Sequence, residues 1–191
     1  MIPRLVVASK NPDKIAEIED VLRGSGLAGE IVEGLDWPDV DETGETLEEN
    51  ALLKARAVVE ATGLPVVADD TGLEVDALDG APGVRTARFA GPGATYQDNV
   101  SLMMEVMEGV ENRTARFRSV VALAFPDGVE IIASGSLEGR ITSEPRGDGG
   151  FGYDPVFEVD GLTLSEMGLE RKNQMSHRAL ALRALIETVR P

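Results

Sequence analysis

Two short apolar runs, Leu5-Val6-Val7-Ala8 and Pro65-Val66-Val67-Ala68, constrain the fold more than any other feature, because each ends in polar residues and the stretch between them carries helical spacing. Runs of this length with turn residues at their ends read as buried strands. After the first, Ile15, Ile18, Val21 and Leu22 recur at helical intervals across Pro12 to Arg23. Asn11 is a good N-cap, Pro12 suits the first helical position, and Gly24 and Gly26 mark the end. A strand around Ile31 and Val32 follows, then an acidic, turn-rich segment from Gly34 to Gly44. Thr46-Leu47-Glu48-Glu49 reads as a capping box, and Leu47, Ala51, Ala55, Val58 and Val59 form one buried stripe up to Gly63. The second apolar run is read as ending at Asp69, so both strands should deliver polar residues to their carboxyl ends.

Downstream, Leu73, Val75 and Ala77 alternate as in a further strand, and two Gly-Pro-rich turns bracket a surface loop containing Arg85 and Arg88. Val100, Met103, Val106 and Met107 predict a helix over Thr95 to Glu108. Ala115 to Phe125 and Val129 to Leu137, joined by Pro126-Asp127-Gly128, should pair as an antiparallel hairpin. A glycine-rich loop from Gly147 to Pro155 precedes Val156-Phe157, and Leu182, Leu185, Ile186 and Val189 lie on a closing amphipathic helix. Strand and helix alternation followed by a hairpin indicates an α/β fold in which helices flank a mixed central β-sheet. With 191 residues, 42% of them hydrophobic, the chain can bury a core as one catalytic domain over residues 1–191, built as two lobes.

Composition narrows the chemistry. There is no cysteine, which excludes disulfides, thiolate nucleophiles and sulfur-ligated metals, so a metal would be held by oxygen ligands or the lone histidine. Mg²⁺, with Mn²⁺ as an alternative, is the natural candidate. The formal charge of -16 repels a nucleic-acid backbone. No run of about 18 apolar residues exists to span a bilayer, and no basic leader precedes the first strand, so a cytoplasmic protein without a membrane partner is expected. If an acidic chain binds a polyphosphate, its scarce cations must be gathered locally.

Several segments have the residue types for this. Ser9-Lys10-Asn11-Pro12-Asp13-Lys14 sets hydroxyl, amide and ammonium groups beside the free N–H groups of a helix start, suited to phosphate oxygens; an ordinary capped helix would read the same way. Asp69-Asp70 follows a buried strand. Adjacent side chains in extended backbone point to opposite sides, so one aspartate can hold structure while the other binds metal or polarises water; an Asx-turn is the alternative. Asp41 and Glu42 offer a further carboxylate, and Lys54 a cation, although both positions also suit solvated side chains. Phe151-Gly152-Tyr153-Asp154 has the aromatics and small residues of a base-stacking pocket, or of a hydrophobic loop anchor. Lys172, His177 and Arg178 form a basic group at the start of the last helix, where a lone histidine also suits a cap or surface position.

Taken in order, Ser9-x-Asn11-x-x-Lys14, Glu42-Thr43-Gly44, Glu49-Asn50-Ala51-x-x-Lys54-Ala55, Ala68-Asp69-Asp70-Thr71-Gly72-Leu73, Gly80-Ala81-Pro82-Gly83-Val84, Gly149-Gly150-Phe151-Gly152-Tyr153-Asp154-Pro155 and Ser176-His177-Arg178 closely resemble the non-canonical purine NTP pyrophosphatases. The motifs span nearly the whole chain. The resemblance implies an ITPase-like fold with the active-site cleft between two lobes, and a homodimer. It also implies Mg²⁺-dependent cleavage of ITP, dITP and XTP to monophosphate and pyrophosphate. By position, Asp70 would be proton acceptor and metal ligand, with Asp41 or Glu42 as the second metal carboxylate. Ser9 to Lys14 and Lys54 would meet the triphosphate, Thr71 would touch substrate, and Phe151, Gly152, Tyr153, Asp154, Lys172, His177 and Arg178 would hold base and phosphates. Many relatives have Gly at Lys10 and Ser at Thr71. Two other readings stand beside this one: an aspartyl-phosphate phosphatase, which needs Asp-x-Asp rather than adjacent aspartates, and a catalytically silent nucleotide-binding module.

Overall fold

The computed structural model describes residues 1–190. Its elements run β1 (Ile2–Val7), α1 (Pro12–Arg23), β2 (Ala28–Val32), α2 (Leu47–Thr62), β3 (Val66–Val75), β4 (Pro82–Gly83), α3 (Tyr96–Val106), β5 (Thr114–Ala124), β6 (Glu130–Ile141), β7 (Phe157–Val159), β8 (Leu162–Thr163), α4 (Leu169–Met175) and α5 (His177–Val189). The strands form one mixed sheet in the order β2-β1-β3-β5-β6-β7-β8, with β4 on β3. β1 pairs in parallel with β2 and β3, as crossover helices require, and β3–β4, β6–β7 and β7–β8 pair antiparallel. Among the described residues no helix is long and apolar enough to cross a membrane.

The chain divides into two compact units. The first comprises Met1–Asp70, Ser119–Gly135 and the chain from Ser176. Its core joins Leu5 and Val7 of β1, Ile18 and Leu22 of α1, Val67 of β3, Val121 and Leu123 of β5, and Leu182 and Leu185 of α5. The α1 boundaries follow from local signals alone: the Asn11 side chain accepts hydrogen bonds from the Asp13 and Lys14 amides, Pro12 begins the helix and Gly24 caps it. For α2, Thr46 and Glu49 form the reciprocal capping box, and Gly63 ends the helix at a φ of 68°, a left-handed conformation that suits glycine. The second unit comprises Thr71–Arg118 and Ser136–Met175, with a core that includes Leu73, Met103, Phe117, Ile141, Tyr153 and Phe157.

Two expectations need correction. β3 does not end at Asp69; it continues without a break through Asp70-Thr71-Gly72 to Val75. Polar, turn-forming residues here signal a boundary by propensity, but tertiary contacts override it. Each aspartate meets cationic partners, and Gly72 lies where the backbone of β4 passes, so that a Cβ there would come within 2.9 Å of the Gly83 carbonyl oxygen. Lys172 lies not on the last helix but on the separate helix α4, which ends before Ser176 caps α5.

Gly135 fixes how β6 meets α5. A Cβ at that position would lie 2.4 Å from the Ala181 amide nitrogen and 2.6 Å from the His177 carbonyl oxygen, both backbone atoms that cannot rotate away. Gly135→Ala is therefore expected to destabilise the protein by about 1–3 kcal/mol, read as a lower urea midpoint. An unchanged midpoint would show that the helix can shift without cost.

Candidate active site

In the first unit, the loop between β1 and α1 presents Ser9 to Lys14. The Asn11 cap fixes its shape, with the Ser9 hydroxyl accepting from the Asn11 amide at 3.2 Å. Pro12 and Asp13 sit exposed in the first helical turn. Lys14 turns back over β3 and its Nζ donates to Asp69 Oδ2 at 3.2 Å. Lys10 reaches instead to Asp39 at 2.6 Å on the irregular segment before α2.

Extended backbone at Asp69-Asp70 sends the two carboxylates to different partners. Asp69 is 2% exposed and accepts from Lys14 and from Arg178 Nε at 3.0 Å. Burial alone would raise its pKa, but Lys14, Arg178 and Lys54 together outweigh burial and hold the carboxyl far below the usual range. Asp70 is 5% exposed and accepts from Lys54 Nζ at 2.8 Å and Asn50 Nδ2 at 3.3 Å. Burial dominates there and pushes its pKa up, with Lys54 opposing. The two adjacent carboxyls are thus driven in opposite directions, which separates an inert anion from a group with greater proton affinity.

Lys54 lies on α2 and is largely buried, its ammonium shared between Asp70 and Glu42 Oε1, the latter at 3.0 Å. Burial disfavours its charge, but Asp70, Asp69 and Glu42 more than compensate and raise its pKa, so it remains an ammonium at neutral pH. Asn50 links the same group to the preceding turn, accepting from the Gly44 amide at 2.8 Å while donating to Asp70. Of the two acidic candidates before α2, Glu42 joins this grouping and Asp41 is exposed. A cavity of about 320 Å³ adjoins these residues; Lys10, Lys14 and Lys54 line it together with Asp39, Glu42 and Asp69. Asp70 connects with that wall through Lys54.

His177 and Arg178 open α5 but are buried, 4% and 2% exposed. Arg178 directs Nε at Asp69 and Nη1 at Glu17 of α1. Solvation would have left this pair as a surface patch; the carboxylates of Asp69 and Glu17 draw the guanidinium inside.

In the second unit, Asp154 Oδ2 accepts from the Phe151 amide at 2.8 Å and from Lys172 Nζ at 2.6 Å. The Lys172 ammonium also lies 4.5 Å from the centre of the Phe151 ring, a cation–π contact, and Tyr96 packs against the same ring at 5.9 Å. Gly150, at a φ of 72°, is forced by crowding as well as by conformation, since a Cβ would lie 2.1 Å from Asp154 Oδ2. Gly152 continues the turn. Tyr153 differs from Phe151: it is buried in the core, donates to the Thr86 carbonyl at 2.9 Å, and burial raises its phenol pKa. Of the two loop aromatics, Phe151 is the one left partly open. Thr71 lies half-buried on β3.

Asn50, Glu17, Asp39 and Trp37, the last on the cavity wall, escaped the sequence reading as site residues. Asn50 stood in a recognised motif. Glu17 left one local signal, a carboxylate next to Ile18 on the buried face of α1. No such signal marks Asp39 or Trp37.

The sequence profile of the Ham1 family matches residues 5–188. A dITP/XTP pyrophosphatase of Symbiobacterium thermophilum is 52% identical over 189 residues, covering 96% of this chain and 93% of its own. One from Streptomyces coelicolor is 47% identical over 195 residues, covering 98% and 97%. The solved structure of a HAM1 protein from Coxiella burnetii, 39% identical, superposes with a TM-score of 0.88 and covers 98% of each chain.

Proposed function

Since the chain belongs to the Ham1 family, we propose that it hydrolyses non-canonical purine nucleoside triphosphates, ITP, dITP and XTP, to the monophosphate and pyrophosphate, and so removes deaminated purines from the nucleotide pool. The observation that carries this reading is the divergence of Asp69 and Asp70 beside a lysine-lined cavity. It supplies, in one small region of a strongly acidic protein, cations for a polyphosphate and a carboxylate with raised proton affinity.

In this reading Ser9, Lys10, Asn11, Pro12, Asp13 and Lys14 form the triphosphate-binding segment, with backbone N–H groups and two ammonium groups directed at phosphate oxygens. Lys54 adds charge near the scissile bond and holds Asp70 in place. Asp70 accepts the proton of the water that attacks the α-phosphorus, and the leaving group is pyrophosphate. Most of the acceleration comes from orientation and fixed charge.

The residues suit a hard cation. Glu42 and Asp70 direct carboxylate oxygens at one ammonium, and Mg²⁺ is commonly held by one or two carboxylates together with substrate phosphates rather than by a larger protein cage. Among the described residues no group of three or more histidine, aspartate or glutamate side chains is placed to hold a metal ion by itself. Bound at Asp70 and Glu42, or Asp41 in its stead, Mg²⁺ or Mn²⁺ would neutralise phosphate charge and make the phosphorus more electrophilic. Phe151 stacks on the base, with Gly152 leaving room and Tyr153 and Asp154 setting the loop. Lys172 and His177 supply donors suited to a 6-oxo purine, and Thr71 touches the substrate. The family resemblance extends the reading to a cytoplasmic homodimer, with residues 1–191 acting as one catalytic domain.

A panel of ITP, dITP, XTP, ATP and GTP with product identification tests this reading. We expect kcat/KM for dITP and XTP to exceed that for ATP by about 100-fold or more, because a site built around a donor leaves that donor unpaired against the adenine amino group. Pyrophosphate should be the inorganic product. Equal rates with ATP, binding without turnover, or release of orthophosphate would overturn the assignment.

A further inference from the structure

Glu17 has no part in the recognised motifs, yet it is one of the most buried acidic residues in the protein. It lies on the inner face of α1, 5% exposed, among Ile18 and Leu22, where a carboxylate needs a partner. That partner is Arg178 Nη1, brought to it by the packing of α5 on α1. Arg178 Nε then reaches Asp69 Oδ2, and Lys14 Nζ donates to the same oxygen. The four charges alternate in sign from the core outward: Glu17, Arg178, Asp69, Lys14. Only Lys14 is substantially open, with 22% of its side chain exposed, and it lines the cavity.

We propose that Glu17 is a positioning residue for the triphosphate site, holding the Lys14 ammonium in place through Arg178 and Asp69. The inference rests on the reading of that cavity given above. Its logic is competition for one oxygen atom. A guanidinium presents a planar fork of donors that favours two-point contact with a carboxylate. With Nη1 engaged by Glu17, Arg178 takes Asp69 through Nε, and the shared oxygen remains available to Lys14. Without Glu17, the guanidinium can turn its fork fully onto Asp69, and Lys14 loses its anchor. The ammonium is then less organised when a polyphosphate arrives, which weakens binding more than chemistry.

The test is a cycle of Glu17→Gln, Lys14→Met and the double variant in the full-length chain, folded state checked by circular dichroism. With dITP and Mg²⁺, Glu17→Gln is expected to raise KM about fivefold while kcat changes less than about twofold, and to add nothing further once Lys14 is Met. Calorimetric binding of inorganic triphosphate should show the same pattern without depending on turnover. Absent hydrolysis by the wild type would therefore overturn the proposed activity, while the binding cycle still decides the role of Glu17. If Glu17→Gln does not fold, Glu17→Asp, which keeps the charge but shortens its reach, carries the same cycle with a smaller rise in KM. A Glu17 variant that lowers the melting temperature yet leaves KM and triphosphate affinity unchanged would reduce the residue to a structural role. So would an equal effect in the presence and absence of Lys14.

Discussion

Asp70→Asn should yield a folded protein that releases pyrophosphate from dITP about a thousandfold more slowly than the wild type. The substitution keeps the volume of the side chain and one oxygen for the Lys54 ammonium, but it turns an amide donor toward Asn50 and removes both the proposed proton acceptor and a negative charge at the proposed reacting centre. Stability should change little, for an identifiable reason. Burial raises the Asp70 pKa, so its ionised form opposes folding at neutral pH; stability attached to this group is present below the ordinary aspartate range and lost as pH rises through the folded value. Removing the charge relieves that cost, while Lys54 loses one of its carboxylates and keeps Glu42. The two effects oppose one another. Measuring kcat/KM together with the urea midpoint separates chemistry from folding, and near-wild-type turnover in a folded variant would remove Asp70 from the proposed catalytic role.

The neighbouring residue should respond in the reverse manner. Asp69→Asn is expected to destabilise the protein by about 3–5 kcal/mol, because it strips a buried carboxylate from Arg178 and Lys14 and leaves a guanidinium in the interior with Glu17 as its remaining anion. The pH dependence gives this prediction a second handle. Lys14 and Arg178 depress the Asp69 pKa against the burial that would raise it, so the stability it contributes is present above the unfolded value of about 3.9 and is lost as pH falls through the lower folded value. Urea unfolding between neutral and strongly acidic pH should show a steep acid loss in the wild type and a flatter one in the variant. Parallel curves would mean that other carboxyls govern acid unfolding. Two adjacent aspartates would then be distinguished by experiment: one substitution that abolishes turnover, and one that weakens the fold.

The contrast also shows where reading from sequence reaches its limit. Asn11, Pro12 and Gly24 define α1, and Thr46, Glu49 and Gly63 define α2, through contacts made within a few residues. Those signals are local, and they were legible. At Asp69 to Gly72 the local preference for a turn was misleading, since the strand continues there only because distant residues come to meet it: Lys14, Lys54 and Arg178 at the carboxylates, and the backbone of β4 at Gly72. Local propensity cannot carry information about partners 16 to 109 residues away.

Motif order and residue type determined the family resemblance, the α/β class and the identity of most candidate side chains, because each of these is written in spacing and chemistry along the chain. The opposite electrostatic surroundings of Asp69 and Asp70, the burial of Arg178, the recruitment of Glu17 and the choice of Glu42 as the carboxylate beside Lys54 were decided only by tertiary structure. The physical reason is that a carboxylate's role depends on which charges surround it and how much water remains, and both are properties of packing.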